Sequence, residues 1–190
     1  MPSRVMLAMV LALACAPSEG APRLDAVRAR DERTAEALIE RHKPYHEAAH
    51  AVVAIALGVR VHYVTLNDFE ASMDVGEPVA GGTFHELPSD PTDVAVIAAA
   101  GLVVTRELAR FGESLAGPLC AIDVRRIQEW AGPDIADRKR AVHRARQIVR
   151  KYRGSIQAVG QALHEHRRLT GNEIAMIVER TRAVQGRSLR

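Results

Sequence analysis

Aromatic residues are scarce in this chain, seven in 190, or 4%. Its core must therefore be built from Ala, Val, Leu and Ile, and it lacks the stacking platform that single-stranded nucleic acid requires. Lysine is scarcer still: Lys43, Lys139 and Lys151 are the only ones. The net charge of +3 is carried almost wholly by arginines dispersed among acids. That pattern reads as solvated helix faces, and no nucleic-acid partner is expected. The two cysteines, Cys15 and Cys120, make no zinc-ligand spacing and no disulfide framework. No G-x-x-x-x-G-K-[ST] loop, internal repeat or low-complexity tract occurs. The apolar run Val5 to Ala14 is too short for an ordinary membrane-spanning helix. With Arg4 before it and small residues after it, the run has the form of a signal-peptide core. Leu11 to Cys15 faintly resembles a lipoprotein processing site. A plain apolar tail accounts for the run equally well, so export and a cytoplasmic location both stay open, as does membrane association.

What is present is His46-Glu47-Ala48-Ala49-His50, an HExxH pattern. Residues four apart share a helix face, so both imidazoles can meet one metal ion. Neutral imidazole suits Zn²⁺. Glu47 is placed to take a proton from water at such an ion without being a ligand, the core of zinc-peptidase chemistry. An accidental HExxH is expected in roughly two in a hundred chains of this composition, so context decides. Pro44 stands where a first-turn proline is tolerated. The run Ala51 to Leu57 is apolar and Gly58 follows as a C-cap. Two imidazoles on so apolar a helix need partners.

The wider pattern predicts a mainly α chain with a small β-sheet, an α+β fold. Residues 1–22 form the signal-like or tail segment, 23–184 one domain and 185–190 a disordered tail. Within the domain, an amphipathic helix is expected over 23–41 and the metal helix over 44–57. A strand over 61–66 and a loop over 67–80 follow, then a short edge strand over 81–86. A buried helix runs from about 92 to 110, ended by Gly112. Further helices begin near 120–123, span 134–152 and 155–166, and open at Thr170 with a Thr-x-x-Glu capping box.

A catalytic zinc site needs a third protein ligand and one open position. His62, His85, Glu107, Glu113, Asp123, Asp137 and His143 are the candidates, and spacing does not choose among them. Taken alone, Asp123 reads equally as a helix N-cap or first-turn acid.

The stretch Tyr45 to Ala54 resembles the protease domain of the FtsH-type membrane AAA proteases of bacteria and organelles. Val61 to Leu66 is similar to the strand after that family's metal helix. Gly81 to Pro88 resembles its short Gly-Tyr-Thr strand and trailing Leu-Pro. Ile97 to Gly101 with Arg106-Glu107-Leu108 resembles its alanine- and glycine-rich helix. Ala141 to Val178 resembles its closing helices. Gly117 to Arg126 falls where the family has a Gly-Ala-x-x-Asp-Leu segment whose aspartate is the third zinc ligand, and Asp123 is the matching position. The similarity spans roughly residues 36 to 180. Ala49 replaces the glycine usual in the family's HEAGH, and alanine favours helix. The residues before Asp123 also lack the family's small polar types.

The resemblance implies a helical bundle around the metal helix and a zinc metalloendopeptidase. His46, His50 and Asp123 would hold Zn²⁺, Glu47 would be the catalytic base, and Gly82, Thr83 and Phe84 would bind an extended polypeptide by strand addition. An ordinary edge strand is the competing account of the last three. Lacking a P-loop, the chain would act on unfolded proteins or peptides, or work with a separate ATPase. The family's hexamers leave a homo-oligomer open. Two other readings compete: an inactive peptidase-like module that binds peptides or docks on a larger protease, and a purely structural zinc site closed by a fourth donor such as His62 or His85.

Overall fold

The computed structural model describes residues 21–76, 81–108 and 116–188. The chain divides into two compact units, Met1–Ala35 and Glu36–Arg190. In the first, residues 21–35 are helical. The segment 1–20, with its signal-like run, lies outside the described residues, as do Gly112 and Glu113.

The described residues are mainly helical, with seven helices and a small antiparallel sheet. The elements are α1 (Ala21–Ala56), β1 (Val61–Thr65), α2 (Asp68–Val75), β2 (Gly82–His85), α3 (Pro91–Leu108), α4 (Ala116–Trp130), α5 (Ile135–Lys151), α6 (Arg153–His166), β3 (Arg168–Thr170) and α7 (Gly171–Ser188). Strand order is β2-β1-β3, so β2 lies at one edge.

The apolar pattern explains most of this. Ala48, Ala49, Ala51, Val52, Val53 and Ala54 are fully buried in α1, and Ala95 to Ala100 are buried in α3. Such small residues let helices approach closely, which an aromatic-poor core needs. Gly58 closes α1 in the left-handed region (φ 79°), while the Val59 N–H donates to the Ala54 carbonyl at 2.9 Å, a Schellman-type end. At the other end of the chain the capping box forms. The Thr170 N–H donates to Glu173 Oε2 at 2.7 Å and the Glu173 N–H to Thr170 Oγ1 at 3.4 Å.

Several expectations need correction. The helices expected over 23–41 and 44–57 are one helix, with Pro44 in its interior. Proline there cannot donate to the carbonyl four residues back. Next to it, Lys43 is only 1% exposed. Its Nζ donates to the Leu66 carbonyl at 3.1 Å and to Asp68 Oδ1 at 2.5 Å, tying α1 to the turn after β1. The loop expected over 67–80 contains α2. Asn67 caps it, its Oδ1 accepting from the N–H groups of Phe69 (3.0 Å) and Glu70 (3.2 Å), a strong N-cap arrangement. The helix expected to begin near 120–123 is already formed at Ala116, so Asp123 sits mid-helix and is not its cap. Residues 185–188 continue α7 instead of starting a tail. The three-residue strand β3, Arg168–Thr170, is an addition to the expected elements.

Candidate metal centre

His46 and His50 project from one face of α1 and are 3% and 7% exposed. Their Nε2 atoms lie 3.1 Å apart. Asp123, from α4, is 5% exposed. Its Oδ2 is 3.2 Å from His46 Nε2 and its Oδ1 3.4 Å from His50 Nε2. A tetrahedral ion with bonds of about 2.0–2.1 Å would hold its donors about 3.3 Å apart. The imidazole–imidazole separation is close to that spacing, and Asp123 reaches the two rings with different oxygens at similar distances.

The far side of each ring is held by α3. His50 Nδ1 lies 2.7 Å from the Ile97 carbonyl oxygen, which can only accept. His50 is therefore the Nδ1–H tautomer when neutral, with the Nε2 lone pair facing His46 and Asp123. His46 Nδ1 pairs with Thr105 Oγ1 at 2.9 Å. Outer partners of this kind fix the orientation of metal-binding histidines. Asp123 Oδ2 is buried and accepts no hydrogen bond. An orphaned carboxylate oxygen beside an imidazole lone pair is costly unless a cation or proton sits between them. The titration tendencies agree. Burial disfavours charge on His46, yet Asp123 beside it holds its pKa well above the ordinary value. Burial likewise works against the Asp123 carboxylate, but the imidazoles of His50 and His46 outweigh it and hold the carboxyl well below its usual range. Gly101 of α3 supplies the room. A Cβ there would lie 2.4 Å from His50 Nε2 and 2.5 Å from His46 Cε1, so any side chain would displace both rings.

Cys120 adds a donor that sequence reasoning missed. It is 2% exposed, and its Sγ, a ring nitrogen of His46 and a carboxylate oxygen of Asp123 all lie within 4.8 Å of one another. This buried group could hold a metal ion. The informative spacing is Cys120 to Asp123, three apart on one helix and so on one face.

Glu47 is 7% exposed. Its Oε2 accepts a hydrogen bond from Thr83 Oγ1 at 2.9 Å, and the same hydroxyl lies 3.0 Å from the Glu47 carbonyl. Strand β2 thus holds the carboxylate through one side chain. The site opens into a cleft of about 1030 Å³, walled in part by Gly82, Thr83, Phe84, Phe69, Leu87 and Trp130. Three of the chain's few aromatics line this cleft. Phe69 is 75% and Trp130 38% exposed, and Phe84 stacks on Tyr63 at 4.5 Å.

The other ligand candidates go elsewhere. His62 is exposed on β1. His85 lines the cleft, with Nδ1 2.7 Å from the Glu86 carbonyl. Glu107 lines a separate cleft of about 420 Å³ with Arg41, His42 and Arg153. Asp137 pairs with Arg140 and His143 with Gln147 on α5. No family model and no curated protein sequence matches this chain.

Proposed function

We propose that this chain is a zinc-dependent metalloendopeptidase, with the fold and ligand set of the FtsH-type protease domain, acting on unfolded proteins or peptides. The observation that carries this reading is the meeting of Asp123, from α4, with both imidazoles of the HExxH helix at 3.2 and 3.4 Å. His46, His50 and Asp123 would hold the ion. Zinc bound there would polarise the scissile carbonyl and make water a better nucleophile near neutral pH.

The remaining work falls to this chain's side chains. Glu47 is the general base: its carboxylate accepts the proton of the attacking water and returns it to the departing amine nitrogen. The Thr83 hydroxyl, 2.9 Å from Oε2, fixes that carboxylate, so the positional entropy is lost before substrate arrives. Edge strand β2 offers main-chain pairing to an extended polypeptide, which tolerates many sequences. Gly82, Thr83 and Phe84 make that contact, and Phe84, Phe69 and Trp130 give apolar side chains a surface to lie on. Substrates reach the cleft already unfolded or are delivered by a separate ATPase.

The experiment is casein hydrolysis by the purified chain loaded with zinc, compared with Glu47→Gln and with chelator-treated protein. Turnover should fall by about 10²–10⁴-fold in the variant, the usual contribution of a general base, while zinc content stays the same. Undiminished hydrolysis by both Glu47→Gln and the metal-free protein would refute the mechanism.

A further inference from the structure

We propose that Cys120 joins His46 and Asp123 as a protein donor to the metal centre, so that a thiolate takes part in holding the ion. The inference rests on the metal-binding part of the reading above and not on hydrolysis.

Cys120 lies one turn ahead of Asp123 on α4, with its sulfur turned toward His46 and Asp123. Independent of the thiol, Asp123 Oδ2 is buried, unpartnered and aimed at the same space. A buried thiol that only fills volume behaves as a small hydrophobe. This one has as neighbours a carboxylate and an imidazole that themselves call for a cation. Of the fourth donors weighed from the sequence, His62 is exposed and His85 is turned to the Glu86 carbonyl. Neither belongs to the group of His46, Cys120 and Asp123 that could hold a metal ion among the described residues, nor does His50.

Binding requires the thiolate. The S–H bond breaks heterolytically, its electron pair stays on sulfur and becomes the donor pair, and the proton leaves to solvent. No electron is transferred. Thiolate is a soft ligand that zinc accepts readily.

The test uses the full chain with Cys15→Ser in every sample, so that Cys120 is the only thiol, and Co²⁺ as the probe ion. The expected result is one ion per chain and a near-ultraviolet sulfur-to-cobalt charge-transfer band. Cys120→Ala should still bind one ion but lose that band and release one proton fewer on loading. Its affinity should fall at least as far as the about 10–100-fold that losing an outer partner costs. Bound metal should also protect Cys120 from alkylation by about tenfold or more, as expected when the free thiolate is withdrawn. Near-isosteric Cys120→Ser repeats the comparison if the alanine variant does not fold. Retention of the band, affinity and proton count in folded Cys120→Ala and Cys120→Ser would overturn the proposal and leave the His46–His50–Asp123 site standing. Absence of any bound ion in the parent chain would overturn both.

Discussion

The two walls of the cleft are built on opposite principles. On one side, α1, α3 and α4 bring His46, His50, Asp123 and Cys120 together with hardly any exposed surface, and α3 holds each imidazole from behind. On the other, β2 and α2 present Thr83, Phe84 and Phe69, half-buried or open, at a sheet edge. The first wall spends its residues on fixing a few atoms. The second keeps backbone and ring surface available. The difference teaches that ion retention and polypeptide handling should respond to different substitutions, with Glu47 where the two walls meet.

Gly101→Ala should strike hardest, and only at the buried wall. A methyl group 2.4 Å from His50 Nε2 must push the rings aside, so zinc affinity should drop by at least about 100-fold, beyond the loss of an outer partner. Titration against a competing chelator measures it, and an unchanged affinity would show that the rings have slack the distances deny. Thr83→Val sharpens the comparison from the other side. Zinc content should hold while kcat falls by about tenfold, the order of one net hydrogen bond of about 1 kcal/mol or slightly more. Thr83→Ser should restore most of it. A matching loss of zinc would mean the walls are not separable. The smallest effect concerns the rim. Hydrogen bonds from Thr65 and Arg168, with the Arg168 charge, hold the Glu70 carboxyl below its ordinary pKa. Its contribution to stability is then present above the ordinary carboxylate pKa and is lost as pH falls through the lowered one. Thermal unfolding of the parent should exceed that of Glu70→Gln slightly at neutral pH, and the gap should close in acid. A gap that persists at low pH would count against the hydrogen-bonded carboxylate.

How far the sequence reveals this arrangement follows the same division. The buried wall is legible in part, because four-residue spacing on an apolar helix gives two imidazoles a common direction; away from the cleft, Thr170 and Glu173 announce their cap. Asp123 is legible only by resemblance. Its side chain becomes a neighbour of α1 through the packing of α4 against α3, which no local pattern encodes. Cys120 escapes because a donor set drawn from two remote segments has no fixed spacing. At the open wall, α2 was hidden in an acidic stretch with weak periodicity, and its start depends on Asn67. A three-residue strand such as β3 carries too few side chains to show alternation.

Lys43 gives the two halves a common fate. Its ammonium is sealed under α1 and grips the Leu66 carbonyl and Asp68, three residues before His46. The helix that carries the histidines is thereby indexed to the hairpin that carries Thr83, much as a peg sets one gear against another. Heating or denaturant should loosen both in a single cooperative step, because neither can slide without stranding a buried positive charge.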